Sequence, residues 1–502
     1  MNQAFIIIIL IAYFGVLLLI SHYTSKNSTS QSFFTGDKKS PWYLVAFGMI
    51  GTSLSGVTFV SVPGTVTANG FYYYQMVLGF FIGYFIVAYV LLPLYYKYNL
   101  SSIYRYLEYR LGFAAYKWGA GYFILSRTLG ATVRLYLVIN VLQLFVFDSV
   151  GIPFWLSTVI IIAMIIAYTF RGGVKTIVWT DTLQTVFMLL ALVVCILAIQ
   201  SELNWSWGHI WSQMSDGGMT KLWSTDPLRK DFMWKHIIGG ANITITMTGL
   251  DQDLMQKNLS CANIGEAQKN MFTFTGIFVI INIFFLSVGA LLYLYANKNG
   301  IAIPMVDGVA RTDYLFPEIA FKHLSIVPAI IFLLGLTAAT FATTDSALTA
   351  LTTSFCVDFL GMDKTENQNK PNIIKTRHFV HIGFSMLMFL VIIIFNSLND
   401  KSVVTMIFKV ASYTYGPLLG LYAFGLFMKS KTVHDKFVPF ICLLSPVICF
   451  LISKNSAALF GNYVIDNELI IVNGLITFIG LLLNLPSTYV ELNFLRKNKV
   501  PI

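Results

Sequence analysis

The chain has 502 residues, of which 56% are hydrophobic and 11% charged, with a formal net charge of +10. A soluble globular domain is about a quarter charged, and here apolar runs reach the roughly 20 residues that cross a bilayer as helix, so a soluble protein is excluded. The positive excess then points to basic cytoplasmic loops facing anionic lipid rather than to nucleic acid, and runs such as 5-FIIIILIAYFGVLLLI-20 lack the alternation of a β-barrel.

The first run follows 1-MNQA-4, which has no positive charge, and no A-x-A-like site comes after it. It reads as a retained helix, not a signal peptide. Hydropathy windows predict about thirteen helices, at roughly 4–21, 42–63, 71–96, 118–147, 152–169, 174–200, 233–250, 271–296, 325–358, 376–396, 402–428, 436–453 and 466–486. The fold class is an all-α polytopic membrane protein. The spans 118–147 and 325–358 exceed one crossing, which implies tilt or extra turns. With the N-terminus outside, Lys26, Lys38, Lys39, Lys97, Arg105, Arg110, Lys117, Lys364, Lys370, Lys375 and Arg377 fall in cytoplasmic loops. Arg496, Lys497 and Lys499 in the tail do so too, as the positive-inside rule requires. The plasma (inner) membrane is the expected location.

Two long loops, 201–232 and 297–324, are assigned outside, and neither reads as a soluble domain. No G-x-x-x-x-G-K-[ST] motif offers ATP as the energy source. Neither H-E-x-x-H nor G-x-S-x-G occurs, so an enzyme is not expected. The cysteines Cys195, Cys261, Cys356, Cys442 and Cys449 form no C-x-x-C pair and read as packing residues. The seven histidines are scattered and receive no role.

Two spans look interrupted. One is 47-FGMIGTSLSGVTFVSVPG-64, the other 237-IIGGANITITMTGL-250, both rich in glycine and small polar residues. Unwound backbone is tolerated at membrane depth only where protein or water satisfies it. Corresponding broken helices in two halves point to inverted repeats with a site at the midplane. The repeats are placed at 42–200 and 233–428, with a leading helix and loop at 1–41 and two trailing helices with a cytoplasmic tail at 429–502.

Polar groups inside spans are the candidates for chemistry. In 341-FATTDSALTALTTSFCVDF-359, Asp345, Ser346, Thr349, Thr352 and Thr353 share a helical face. A carboxylate with hydroxyls and free carbonyls suits a small hard cation, although each hydroxyl alone can bond back to its own helix. Asp181 is a second acid, either paired with Lys175 or facing a cavity. Arg127 and Arg134 lie two turns apart. They are counter-charges for acids such as Asp181, or Arg134 holds a substrate carboxylate as a bidentate partner. Lys409 carries the same ambiguity.

The segments 172-GGVKTIVWTDTLQ-184 and 249-GLDQDLMQKNLSCANIGEAQK-269, the helix ending at Val357-Asp358, and 412-SYTYGPLLGLYAFGLF-427 together resemble the sodium/solute symporters, the family of sodium–glucose, sodium–proline, sodium–iodide and sodium–sialate cotransporters. The resemblance runs from about 32 to 428. It implies a LeuT-like fold of two inverted five-helix repeats and Na⁺-coupled uptake of a small organic solute by alternating access. It places the main Na⁺ site at the carbonyls of Gly51, Leu54 and Ala339 and at the side chains of 342 and 343. Here Ala342 stands where the family usually has Ser, and Thr343 keeps the second hydroxyl, with Thr344 or water as a substitute ligand. A further cation site is implied at Asp181, Asp345 and Ser346. Substrate-lining positions by the same analogy are Ser53, Ser55, Thr58, Tyr73, Asn242 and Thr246, with Arg134 favouring a carboxylate. Na⁺, the solute and lipid are the expected partners, with no nucleic acid, obligatory protein partner or organic cofactor. The alternatives are H⁺ coupling on the same scaffold and a substrate sensor or channel.

Overall fold

A computed structural model describes residues 3–26, 30–306, 309–363, 372–398, 403–463 and 465–485. Helix occupies every segment in which the hydropathy windows place one. The principal helices are α1 (Gln3–Thr24), α2 (Trp42–Ser53), α3 (Gly56–Gly64), α4 (Tyr73–Ile86), α5 (Phe113–Leu142), α6 (Phe154–Gly172), α7 (Val174–Leu203) and α8 (Met233–Thr244). They continue with α9 (Gln252–Asn258), α10 (Ile264–Asn299), α11 (Ile326–Ser354), α12 (Ile373–Leu398), α13 (Val403–Thr414), α14 (Gly416–Phe427), α15 (Val438–Lys454) and α16 (Leu469–Leu483). Among the described residues, 8 helices are long and apolar enough to cross a membrane singly, and 9 if the bent pair α2–α3 counts as one span. Phe154–Phe170, Gly416–Phe427 and Leu469–Leu483 are apolar but shorter. All five cysteines are free and buried.

Burial divides the helices into two kinds. Ile8, Ile11 and Leu19 on α1, Phe379, Met386 and Leu390 on α12, and Phe440, Leu443 and Val447 on α15 are exposed, as faces turned to lipid must be. On α11, every residue from Gly335 to Ser354 is buried. A helix enclosed on all sides can carry hydroxyls and an acid at membrane depth, because protein rather than lipid surrounds them. α11 packs against α7, α5, α2 and α12, and α8 packs along α4.

The contact of α4 with α8 is set by backbone proximity. A Cβ on Gly79 would fall 2.3 Å from the Ile237 carbonyl oxygen, and one on Gly240 would fall 2.5 Å from that of Met76. Small residues let membrane helices approach this closely. Gly79→Val is therefore expected to push the pair apart at a cost of about 1–3 kcal/mol, read as a thermal midpoint several degrees lower in detergent.

The first interruption is a true break. Leu54 (φ −86°, ψ 73°) and Ser55 (φ −65°, ψ 170°) leave the helix, and α2 and α3 meet at a bend of 52°. The second expected interruption is not. α8 runs on through one wider turn, Ile245–Gly249, and ends only at Leu250. The run of Asn and Thr does not unwind it, because Asn242 and Thr246 bond to carbonyls one turn back on the same helix.

Candidate functional site

The break in α2–α3 leaves backbone oxygens without helical partners. Among the described residues, no backbone N–H donates to the carbonyls of Gly51 or Leu54. α2 is fastened to α7 by Thr185, whose hydroxyl oxygen accepts the Gly51 N–H at 3.0 Å. A Cβ on Gly51 would lie 2.4 Å from that oxygen and 3.6 Å from the Ala342 Cβ. Gly51 is thus the residue that lets α2 rest on α7 and α11 together. Across the gap, the Thr343 hydroxyl lies 3.0 Å from the Ala339 carbonyl and 3.4 Å from that of Thr52. Gly51, Ala339, Ala342 and Thr343 are brought together beside the Leu54 break. Ala342 adds no ligand atom, and Thr344 turns back to the Thr340 carbonyl at 2.9 Å.

The second expected cation cluster is divided among other partners. Asp181 is fully buried, and its Oδ2 accepts from Lys257 Nζ at 2.5 Å and from the Thr52 hydroxyl at 3.0 Å. Its partner is Lys257 of α9, not Lys175. Asp345 accepts the Tyr168 hydroxyl at 2.7 Å and the Ser346 N–H at 2.5 Å. The Ser346 hydroxyl donates to Asp253. Arg127 pairs with Asp253 and lies 3.9 Å from Asp251, so it is no counter-charge for Asp181. Tyr415 closes this group by donating to Asp251 at 2.5 Å. Further along α11, Thr352 bonds to His381, and Thr353 accepts from Gln256 at 3.0 Å. The polar face of α11 therefore meets several protein partners along its length.

A cavity of about 110 Å³ lies beside the break, lined by Ser53, Ser55, Thr58, Tyr73 and Arg134 among others. Asn242 and Thr246 do not reach it. At about 100° per residue, Ile243, Thr244, Met247 and Thr248 form the lining face of this helix. Arg134 has no ion pair or hydrogen bond among the described residues, although it lines the cavity. Lys409 is exposed, and its neighbours Ile407 and Phe408 line the cavity instead. A second cavity of about 150 Å³ shares Tyr73 and Phe408 with the first and extends past Thr65, Asn69, His236 and Asp466 to Asp231, in the 201–232 loop.

Sequence reasoning missed Lys257, Asp251 and Asp253 as participants. The available signal was their occurrence in 249-GLDQDLMQKN-258, three charges in a short stretch directly after an apolar helix. Such groups beside a membrane core are buried only when paired.

Comparison with known proteins decides the family. The model of the sodium:solute symporter family matches residues 33–438. The chain belongs to the sodium:solute symporter family. Its similarity to the sodium/sialic acid symporter SiaT of Proteus mirabilis is 23% identity over 462 residues, covering 88% of each chain. To the sodium/sialic acid symporter NanT of Aliivibrio fischeri it is 22% identical, over 94% of this chain and 92% of that one. The sodium-coupled monocarboxylate transporter 1 of Mus musculus is 25% identical over 79% of this chain and 64% of its own. A solved substrate-bound, outward-open Na⁺-coupled sialic acid symporter superposes with a TM-score of 0.81, at 21% identity, over 95% of this chain and 97% of that one. The nucleobase–cation symporter Mhp1 in a closed conformation gives 0.55 at 13% identity, over 93% and 94%. The symporter's architecture is LeuT-like. It is a multi-pass membrane protein that couples Na⁺ to movement of a small organic solute.

Proposed function

We propose that this symporter takes up a small solute bearing a carboxylate, with Na⁺ held at the Gly51, Leu54 and Ala339 carbonyls and the Thr343 hydroxyl. The observation that carries the solute class is Arg134. A guanidinium lining the cavity with no hydrogen bond or ion pair among the described residues is available for bidentate binding of an anionic head. Ser53, Ser55, Thr58 and Tyr73 supply hydroxyls for the rest of the solute. Three sialic acid and monocarboxylate symporters among the relatives support the same class.

The repeats are assigned to 42–200 and 233–428, with the N-terminus outside. The 201–232 loop is then external, and the second cavity is the entry path. The Arg127, Asp251 and Asp253 cluster seals the cytoplasmic end. Na⁺ ties the α2–α3 break to α11 and favours this outward arrangement. Solute binding follows, and loss of Na⁺ to the cytoplasm drives the return.

The test is uptake into proteoliposomes of labelled carboxylates, including a sialic acid and a monocarboxylate, under an inward Na⁺ gradient, an inward H⁺ gradient, or neither. Accumulation is expected with Na⁺ alone. Accumulation driven by H⁺ alone would overturn the Na⁺ assignment, and uptake confined to uncharged solutes would overturn the role of Arg134. Thr343→Ala removes the only side-chain ligand in the assigned set, so it is expected to raise the half-saturating Na⁺ concentration at least tenfold, measured in the same vesicles.

A further inference from the structure

We infer that the Lys257 ammonium is a tethered cation that occupies a second cation site on Asp181, so that its own charge takes the place of an exchangeable Na⁺ there. The inference rests on the family's Na⁺ coupling and fixes how many external ions the fold can accept.

Lys257 is buried, at 2% exposure, and reaches the interior from α9, which also contributes Asp253 one turn earlier. Its Nζ contacts two oxygens, Asp181 Oδ2 at 2.5 Å and the Thr52 hydroxyl. Carboxylate plus hydroxyl is the donor set a small hard cation takes. Thr52 also links the two sites, since its carbonyl faces Thr343 while its hydroxyl faces Lys257.

The rest of the surroundings are those of a cation site only partly used. Asp181 Oδ1 is buried and has no hydrogen-bond partner among the described residues, and neither has the Gln184 side-chain oxygen one turn along α7. Asp345 lies within electrostatic reach of both Asp181 and Lys257. Two buried carboxylates thus face one ammonium. Removing that ammonium would leave a buried anionic pocket lined by Asp181, Thr52 and Gln184, to be neutralised by another cation or by a proton on a carboxylate, and the Na⁺ count separates the two. An ammonium on a side-chain tether does not dissociate to bulk solvent. While it sits on Asp181, the oxygens it contacts are closed to Na⁺.

The test counts ²²Na⁺ bound per purified full-length chain at saturation. The proteins are wild type, Lys257→Met, Lys257→Gln, Lys257→Arg and the double variant Asp181→Asn/Lys257→Met. The Met and Gln variants are expected to bind one more Na⁺ than wild type. Lys257→Arg, which keeps the charge, and the double variant, which removes the acid as well, are expected to match wild type. Equal counts in wild type, Lys257→Met and Lys257→Gln would overturn the inference. Misfolding is also informative, because Na⁺ that replaces the ammonium should rescue the neutral variants. Neutral variants that aggregate equally in NaCl and in choline chloride would count against it. Wild type that binds no Na⁺ would defeat the Thr343 assignment, and the difference between wild type and Lys257→Gln would still decide this one.

Discussion

Arg127→Met is expected to be among the most destabilising single substitutions in this symporter. Arg127 is 3% exposed and neutralises Asp253 directly and Asp251 at 3.9 Å. Both acids are buried, so removing the guanidinium strands their charge. Breaking a buried pair from one side costs about 3–5 kcal/mol. In detergent the thermal midpoint should fall by many degrees, with the loss read by intrinsic fluorescence. Adding Asp253→Asn to Arg127→Met should recover a large part of it, because the stranded charge rather than the lost packing causes the damage. A double variant no more stable than Arg127→Met would show that the pair is not the cause. The same cluster includes Ser346 through its bond to Asp253, so the loss should also raise Na⁺ leak in the absence of solute.

Arg134→Gln should act on binding rather than stability. Arg134 makes no hydrogen bond or ion pair among the described residues and feels Asp251 and Asp253 only at longer range, so its removal should cost the fold less than that of Arg127. A solute carboxylate would lose a charged, bidentate contact. Truncating one partner of such a pair costs about 2–5 kcal/mol, roughly 30-fold to several thousandfold in half-saturating solute concentration. Arg134→Lys keeps the charge but not the fork, and should fall between the two. Uptake by Arg134→Gln that remains near wild type for every carboxylate tested would remove Arg134 from the solute site.

Much of the architecture was legible from the chain alone, because hydropathy is a local property. Each helix was placed by the length of its apolar run, and the break near Leu54 was foreseen from Gly51, Gly56 and the intervening polar residues. The resemblance to the symporter family put Gly51, Ala339 and Thr343 in one site, and the fold brings those residues together beside the break. The α8 segment shows where local reading fails. Its glycines and hydroxyls suggest the same break, but Thr246 can either expose a carbonyl or bond back to its own turn, and the helix persists. The helical phase then takes Asn242 and Thr246 away from the cavity and brings Thr244 and Thr248 to it.

The charges were decided by tertiary structure alone. Local spacing offered Lys175 to Asp181, six residues away, while the fold delivers Lys257, which is 76 residues distant in the chain. Arg127 likewise finds Asp253, 126 residues on. A buried charge is neutralised by whichever opposite charge the packing brings within a few ångströms, and sequence distance does not enter that energy. Composition and periodicity therefore determined that this is a helical membrane protein with polar groups enclosed at depth. Which of those groups neutralise each other, and which remain available for ion and solute, was set by the way α9 and α11 enter the centre of the bundle.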